Sequence, residues 1–329
     1  MALVSSLSIL PTLADDLSML EEKLQNSVIA EDNYLTEIAS HLILAGGKRV
    51  RPGFAIASSG VQSPIAKPAT TDVLMGGVAV ELVHLGSLYH DDVMDEAEMR
   101  RTVPSVNALW GNLTAILAGD FLLARASEIA ASLGTEVAEL LAKTIGELCE
   151  GQILELQSTF KLDRTEESYE RSIAGKTASL LATACRIGGI TADLSRDNID
   201  VVTSFGHSYG MAFQIVDDIL DLVATDKQLG KPSGNDLMEG VYTLPVIFAF
   251  SSKHGETLKE ILGKEITVDE RNHARELIRE SGGIPEALSK ARFWTDQATL
   301  ALSDLPESEA TKALGAATNH LISRANTSL

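Results

Sequence analysis

Apolar residues along this chain recur at the spacing of amphipathic helices. They repeat every three or four positions over long stretches, whereas alternating β-branched runs and Asn-Gly hairpin signals are nearly absent. This pattern predicts an all-α protein. Helices are expected at about 71–94, 113–133, 137–157, 166–187, 198–223, 244–251, 268–281, 285–302 and 307–324.

Capping and breaking residues set the expected ends of these helices. Thr71 or Asp72 can cap the first, and Gly134 follows the second. The Gly188-Gly189 pair is expected to stop the helix that begins near Glu166. Loops are expected at 63–71 and at 226–236. No repeat and no low-complexity linker divides the chain, so residues 1–329 are predicted to form a single domain.

The composition supports a helical core and narrows the range of partners. Hydrophobic residues make up 45% of the 329 positions but aromatics only 5%, so the core must be mainly aliphatic. The formal net charge of −19 argues against nucleic acid and anionic membrane surfaces as partners. Cys149 and Cys185 lack metal-ligand spacing, and we expect both to be reduced core residues.

No segment has the pattern of a signal peptide or of a membrane span. Residues 1–15 lack a basic start, and the longest apolar candidate, 113–124, is short and contains Asp120. The sequence therefore favours a cytoplasmic location without an integral membrane segment.

Two acidic segments follow apolar helical runs. In each, the pattern is Asp-Asp-x-x-Asp, so the first and last carboxylates lie one helical turn apart. Either segment alone could be a solvated helix face. Next to buried runs, however, clustered carboxylates need compensation, and their oxygens suit Mg²⁺ that also binds substrate phosphates. The candidate carboxylates are Asp91, Asp92, Asp95, Asp217, Asp218 and Asp221.

Basic residues lie near these acidic segments in an otherwise acidic chain. Each could singly be a solvated charge, but Arg offers phosphate a bidentate fork and Lys a point charge. Together they predict a site for an anionic substrate. They are Lys48, Arg49 and Arg51 in a Gly/Pro-bounded loop, Arg100 and Arg101 after the first acidic segment, Lys176 within a helix, and Lys231 after the second acidic segment.

The Gly-Gly-Lys-Arg-x-Arg-Pro loop is followed along the chain by the two Asp-rich motifs. In this combination and order the sequence resembles the trans-isoprenyl diphosphate synthases. The similarity covers about 46–244. It implies a helical bundle of the isoprenoid synthase type with a central substrate cavity. It also implies Mg²⁺-dependent addition of isopentenyl diphosphate to an allylic diphosphate, with two or three ions, and a homodimer.

The resemblance also assigns roles to residues. Metal binding falls to Asp91 and Asp95 on one side of the allylic diphosphate and to Asp217 on the other, supported by Asp92, Asp218 and Asp221. Contacts to the allylic diphosphate fall to Arg100, Lys176 and Lys231. Contacts to isopentenyl diphosphate fall to Lys48, Arg51, His84 and Arg101. Thr177 and Gln214 would lie near the developing carbocation.

Three positions depart from the family pattern. Val241 stands where the family often has Lys before Thr-Leu-Pro, which puts one diphosphate contact in doubt. Thr102 replaces the Gly that often follows the Arg pair, and Glu155 replaces the acid of a Gly-Gln-x-x-Asp motif that includes Gln152.

Product length is expected to depend on Gly86 and Ser87, one turn before the first acidic motif. In the family, bulky residues there stop elongation, so two small residues predict a long product of roughly thirty to fifty carbons by resemblance. Alternatively, both residues simply permit close helix packing.

Other functions remain open from the sequence. A farnesyl or geranylgeranyl diphosphate synthase would share both motifs. A class I terpene cyclase would not need the Lys48, Arg51 and Arg101 cations, and a non-catalytic subunit of a two-component synthase would have eroded Asp motifs. An acidic helical protein without this chemistry is the remaining interpretation.

Overall fold

The protein is described by a computed structural model that covers residues 7–224 and 233–328. The predicted loop 226–236 lies largely outside the described residues, and so does Lys231. In chain order the helices are α1 (Leu13–Ser27), α2 (Asn33–Leu44), α3 (Val50–Ser59), α4 (Thr71–Met94), α5 (Val106–Trp110), α6 (Asn112–Ser132), α7 (Thr135–Gln157), α8 (Glu166–Ile173), α9 (Ser179–Thr191), α10 (Arg196–Val223), α11 (Asn235–Met238), α12 (Leu244–Ala249), α13 (Gly255–Ile261), α14 (Val268–Ser281), α15 (Gly283–Leu302) and α16 (Glu309–Ser328).

This helical architecture confirms the predicted all-α class. The N-terminal cap of α4 is Thr70, whose hydroxyl accepts a hydrogen bond from the Val73 N–H, so the expected caps at Thr71 or Asp72 are wrong by one or two residues. The segment predicted as one helix over 166–187 instead contains α8, a π-helical turn (Ala174–Ala178) and α9.

The expected helix stop at Gly188-Gly189 is also wrong, because α9 continues to Thr191. A Cβ on Gly188 would lie 2.1 Å from the carbonyl oxygen of Ala55. Gly188 therefore lets the backbones of α9 and α3 approach closely, which is a packing role rather than a stop signal.

A short hairpin that the apolar pattern did not predict lies between α4 and α5. Its strands, β1 (Met99–Arg100) and β2 (Val103–Pro104), pair antiparallel. The two residues between them, Arg101 and Thr102, have φ of 52° and 68°, which is the left-handed backbone that a tight two-residue hairpin turn requires. Asn-Gly usually occupies such turns, so an Arg-Thr pair gave no sequence signal.

The basic loop expected at 46–52 is only partly a loop. Helix α3 begins at Val50, so Arg51 lies in its first turn. Arg49 caps this helix with a left-handed backbone, φ 45°. Arg51 is therefore held by helical backbone rather than by a loop.

The described residues fall into two compact units. The first contains residues up to Ile145 together with Leu180–Gly206 and Ala301–Ala317. The second contains Gly146–Ser179, His207–Leu300 and Thr318–Leu329, within the described ranges.

In the first unit α4 is the central helix, and it packs against α1, α3 and α6. Helix α4 is also the one described helix long and apolar enough to pass a membrane-span criterion. Of its apolar window, 67% is buried inside the protein, as in the core helix of a globular fold.

Both cysteines are free. Cys185 is buried, which raises the pKa of its thiol to about 12. Cys149 is exposed on α7, so the expectation that it is a core residue is wrong.

Candidate active site

The first Asp motif ends helix α4. Asp91 and Asp92 lie in its last turn, and Asp95 is its C-cap, whose N–H donates to the Asp91 carbonyl over 2.8 Å. Because Asp95 keeps a right-handed helical backbone, the one-turn spacing expected between Asp91 and Asp95 is present at the helix end.

Asp92, the middle residue of this motif, is completely buried. Its Oδ1 accepts a hydrogen bond from Arg100 Nε over 2.6 Å, whereas its Oδ2 is buried without a hydrogen-bond partner among the described residues. Burial raises the pKa of Asp92, and the nearby Asp95 adds to this, while Arg100 opposes it. The carboxylate is therefore only half satisfied.

The β1–β2 hairpin presents two arginines in different directions. Arg100 reaches back to Asp92, while Arg101 donates to the carbonyl oxygens of Leu42, over 2.9 Å, and Gly46. The left-handed turn at Arg101 thus connects the first Asp motif to the Gly46-Gly47 loop.

A buried carboxylate, Glu81 on α4, organises the basic residues around that loop. Arg49 donates to Glu81 over 3.0 Å and makes a two-pronged ion pair with Glu21, over 2.7 and 2.8 Å. Arg101 Nη2 lies 3.9 Å from Glu81 Oε1. A Cβ on Gly47 would lie 2.6 Å from Arg49 Nη1 and 2.8 Å from Arg101 Nη1, so a side chain at position 47 would displace both guanidinium groups.

His84 lies among these arginines and is held neutral. Burial lowers its pKa well below the usual range, and the positive charges of Arg51, Arg101, Arg100 and Arg49 lower it further. A neutral imidazole has one donor and one acceptor nitrogen, so His84 adds a hydrogen-bonding group without adding another positive charge.

Two cations of the cluster form no ion pair among the described residues. Lys48 is exposed, and Arg51 has a buried Nε without a hydrogen-bond partner. Burial lowers the pKa of Arg51, as does the charge of Arg101, while Glu81 opposes them. Positive charge without a direct ion-pair partner is suited to an anionic ligand. Arg51 and Arg101 thus lie close enough to His84 to lower its pKa, while Lys48 is exposed in the adjoining loop. Their joint role in binding a substrate stays a prediction.

In the second unit, a hydrogen-bonded chain contains three predicted site residues. Thr177 Oγ1 donates to Gln214 Oε1 over 2.7 Å, and Gln214 Nε2 donates to Asp218 Oδ1 over 2.8 Å. Tyr169 Oη donates to the other carboxylate oxygen of Asp218 over 2.5 Å. Both oxygens of Asp218 are therefore held by neutral donors.

The environment of Asp218 disfavours its charge. Burial raises the pKa of Asp218 to about 7; the donors Tyr169 and Gln214 oppose the shift, and nearby Asp217 and Glu155 reinforce it. Asp217 lies on the exposed side of α10, with Oδ1 3.9 Å from Arg324, whereas Asp221 is buried.

Lys176 lies in the π-helical turn and forms an ion pair with Glu155 of α7. The backbone of α7 and that of the π-helical turn approach closely here, because a Cβ on Gly151 would lie 2.5 Å from the backbone nitrogen of Lys176. A Cβ on Gly175 would lie 2.6 Å from the Glu147 carbonyl oxygen. The two glycines thus allow the widened turn that presents Lys176 and Thr177.

The donor set suits Mg²⁺ bound together with a substrate. No group of three His, Cys, Asp or Glu side chains within the described ranges is arranged to hold a metal ion by itself. Magnesium commonly takes one or two carboxylates and completes its shell with water and phosphate oxygens. The buried Asp92 Oδ2, which has no hydrogen-bond partner within residues 7–224 and 233–328, is consistent with a cation near the first motif.

Gly86 and Ser87 have different surroundings. A Cβ on buried Gly86 would lie 3.1 Å from the Gly119 carbonyl oxygen and 3.2 Å from Leu123, so Gly86 permits close packing of α4 on α6. Ser87 is half-buried and donates to the His84 carbonyl over 2.8 Å. The packing interpretation therefore applies to Gly86, and Ser87 is the better candidate for a residue that meets a growing product.

Residue patterns alone missed several groups that order the site. Glu81 could have been noticed as a lone charge within an apolar helix. The sequence marks Glu155 as a departure from the family motif but not as the partner of Lys176. Tyr169 and Arg164 gave no signal, because a tyrosine and an arginine near a helix start are unremarkable in sequence.

Comparisons with known proteins identify the family of this chain. The polyprenyl synthetase family matches residues 32–279. Heptaprenyl diphosphate synthase component 2 of Geobacillus stearothermophilus is 39% identical over 299 residues, 91% of this chain and 92% of that protein. Nonaprenyl diphosphate synthase of Mycobacterium tuberculosis is 36% identical over 307 residues, 92% of this chain and 91% of that protein.

A solved structure has the same fold. Polyprenyl synthase from Caulobacter crescentus CB15, in complex with calcium and isoprenyl diphosphate, matches with a TM-score of 0.89 and 31% identity over 96% of this chain and 97% of that chain. The predicted resemblance and its all-α fold are confirmed. The chain belongs to the polyprenyl synthetase family and is a prenyltransferase.

Proposed function

We propose that this chain condenses isopentenyl diphosphate head-to-tail (1′-4) with an allylic diphosphate and makes a long trans-polyprenyl diphosphate. The observation that carries the proposal is the pairing of a carboxylate motif with a separate cluster of cations. Two of these cations, Lys48 and Arg51, form no ion pair in the part of the chain that the structure describes. Family relatives named as heptaprenyl and nonaprenyl diphosphate synthases support a product of roughly thirty to fifty carbons.

The allylic diphosphate is assigned to the two Asp motifs. Asp91, Asp95 and Asp217 would hold two or three Mg²⁺ ions, supported by Asp92, Asp218 and Asp221. The bound ions would neutralise the negative charge that develops on the diphosphate leaving group. Arg100, Lys176 and Lys231 would add direct cationic contacts to the same diphosphate.

Isopentenyl diphosphate is assigned to the basic cluster. Lys48, Arg51 and Arg101 would bind its diphosphate, and neutral His84 would donate one hydrogen bond. Since Glu21 and Glu81 already compensate Arg49, that arginine is expected to fix the loop rather than bind substrate.

The reaction then proceeds by ionisation, addition and loss of a proton. The allylic C–O bond breaks and the electron pair leaves with diphosphate. The double bond of isopentenyl diphosphate attacks the carbocation to form the new C–C bond, and the departing diphosphate takes the proton. Thr177 and Gln214 would place their oxygens near the cation, and apolar surroundings would exclude water.

Product length provides a residue-level test. Ser87→Phe should block the growing chain and shift the product towards fifteen or twenty carbons, because Phe fills much more volume than Ser. Gly86→Phe should instead lower stability, because its Cβ already meets α6. Chromatography of dephosphorylated products would show the shift. An unchanged long product from a folded Ser87→Phe variant would mean that the growing prenyl chain does not pass Ser87.

We also propose that residues 1–329 act as one catalytic domain in a homodimer in the cytoplasm. Leu113, Ile116 and Leu117 form an exposed apolar stripe on α6, which supports self-association. One relative is named as a component of a heptaprenyl diphosphate synthase, so a second protein is the alternative partner. Light scattering of the purified chain, with Leu117→Glu as the variant, distinguishes a dimer from a monomer.

The decisive experiment is product analysis with the purified chain. Labelled isopentenyl diphosphate and Mg²⁺ should give long polyprenyl diphosphates with one or more short allylic diphosphates. A cyclic hydrocarbon from the allylic substrate alone would favour a terpene cyclase. Turnover that requires a second protein would favour a two-component synthase, and products of fifteen or twenty carbons would overturn the long-chain assignment.

A further inference from the structure

Arg164, just before α8, is a buried arginine with incomplete hydrogen bonding. Its exposed fraction is 7%. Nη1 donates to the Tyr242 carbonyl over 3.0 Å, but Nε and Nη2 are buried without a hydrogen-bond acceptor in the described part of the chain. The guanidinium lies instead over the ring of Tyr169, 5.4 Å from its centroid.

Tyr169 links this arginine to the second Asp motif. The ring is buried, and the hydroxyl donates to Asp218 Oδ2. With Gln214 on the other oxygen, Asp218 can neither rotate nor shift without breaking a short hydrogen bond. The orientation of the Asp218 carboxylate thus depends on the position of the Tyr169 side chain. The Arg164 guanidinium covers the Tyr169 ring.

Packing alone does not account for this arrangement. A buried guanidinium with two unused donors lowers stability relative to an apolar side chain of similar volume. Cation–π contact with Tyr169 recovers part of that loss and fixes the angle of the ring. Buried polar groups with unused hydrogen-bonding capacity call for a functional explanation, and here the groups lead directly to a carboxylate of the candidate metal site.

We propose that Arg164 and Tyr169 are positioning residues for the second Asp motif: Arg164 fixes the Tyr169 ring, and the Tyr169 hydroxyl fixes the Asp218 carboxylate. This inference rests on the proposed function, in which that motif binds Mg²⁺ with the allylic diphosphate. Side chains that hydrogen-bond to the carboxylates of a metal site typically change metal affinity by roughly 10- to 100-fold when they are mutated.

Tyr169→Phe tests the hydroxyl while it keeps the ring. The variant should raise the Mg²⁺ concentration for half-maximal turnover by roughly tenfold. Calorimetry with Mg²⁺ and an unreactive thio analogue of an allylic diphosphate should show a matching loss of affinity. Tyr242→Phe is the matched control, because it also removes a buried hydroxyl in the same unit, one that accepts from the Gly263 N–H.

Arg164→Gln tests whether the arginine acts through Tyr169. The single variant Arg164→Gln should also raise the Mg²⁺ concentration for half-maximal turnover. In the Tyr169→Phe background it should add little, because the hydroxyl through which it acts is already absent. Additive effects in the double variant would overturn the positioning role of Arg164.

The controls separate this inference from the function on which it rests. A wild-type chain that neither binds the analogue with Mg²⁺ nor forms product would refute the proposed function. If the wild type is active while Tyr169→Phe and Tyr242→Phe have the same Mg²⁺ requirement, only the positioning inference fails.

Discussion

The two Asp-Asp-x-x-Asp segments share one sequence pattern, but their middle carboxylates lie in different environments. Asp92 is compensated by a cation, Arg100, which contacts one of its oxygens. Asp218 is compensated by two neutral donors, Tyr169 and Gln214, one on each oxygen. The first motif extends to the C-cap of α4, Asp95, beside a hairpin, whereas the second lies wholly within the last two turns of α10.

This difference separates charge neutralisation from orientation. An ion pair stabilises the ionised form of Asp92 and leaves its second oxygen available. Neutral hydrogen bonds fix the position of Asp218, while burial favours its protonated form. The same five-residue pattern therefore yields one carboxylate held by charge and one held by geometry, and the following predictions test this distinction.

The largest expected effect on turnover comes from removing the metal or one of the carboxylates assigned to bind it, Asp91 and Asp217. A chelator should abolish turnover and added Mg²⁺ should restore it. Asp91→Ala or Asp217→Ala should each lower turnover by about a thousandfold or more, because transition-state charge would lose several kcal/mol of stabilisation. Circular dichroism should show retained helices, and exposed Asp304→Ala is the matched control. Full turnover in chelator would contradict both motif assignments.

The next effect concerns the cations near the first motif. Lys48→Ala and Arg51→Ala should each raise the KM for isopentenyl diphosphate by roughly 10- to 100-fold, since a charge-assisted contact contributes about 1.5–3 kcal/mol. Steady-state kinetics with each substrate varied would measure it. Lys67→Ala, in the exposed 63–70 loop, is the control. A change in the KM of the allylic substrate alone would mean that the two diphosphate assignments are reversed.

A smaller effect is the pH dependence of stability in the metal-free chain. The folded pKa of Asp218, about 7, lies above its ordinary value of 3.8, so its contribution to folding is complete below about pH 4 and is lost as pH rises towards 7. The Asp218→Asn variant has no carboxyl group to ionise at this position. The melting temperature of the variant minus that of the wild type should therefore increase between about pH 4 and pH 7, by roughly 2–5 °C.

Asp92→Asn provides the comparison in the same melting experiment. Its pKa is also raised, but Arg100 offsets part of the effect of burial, so the difference from wild type should vary less with pH than for Asp218→Asn. Equal pH slopes for the two variants would contradict the distinction between the motifs.

The smallest effect is at the hairpin next to the first motif. Thr102 is β-branched and has a φ of 68°, a conformation that Gly adopts without strain. Thr102→Gly should therefore stabilise the folded chain by about 1 kcal/mol, as measured by denaturant unfolding. Val103→Gly is the contrasting variant, because φ at Val103 is not positive and glycine there should destabilise.

Local patterns predicted most helices and the main charged residues of the site. The apolar period gave α4, α6, α7, α10 and α14 to within two residues, because each has a continuous buried face. The Gly-Gly-Lys-Arg loop and both Asp motifs were visible because charged residues beside apolar runs are unusual.

What the patterns missed depends on contacts between segments distant in sequence. Tyr169 matters because of Asp218, forty-nine positions away, and Glu81 because of Arg49, thirty-two positions away. The π-helical turn follows from the close approach of Gly151 and Gly175, which no local rule indicates. The same holds for Gly188, whose role is decided by the Ala55 backbone.

The contact between Gly188 and Ala55 has a consequence for mutational tolerance. No residue with a Cβ fits at position 188 unless α3 moves, and α3 carries Arg51 at its beginning. In a saturation library scored by activity, position 188 should therefore be as intolerant as Asp91, although it takes no part in the chemistry. A library scored by folded yield would separate the two, since substitutions at Asp91 should leave the yield high while those at Gly188 should lower it.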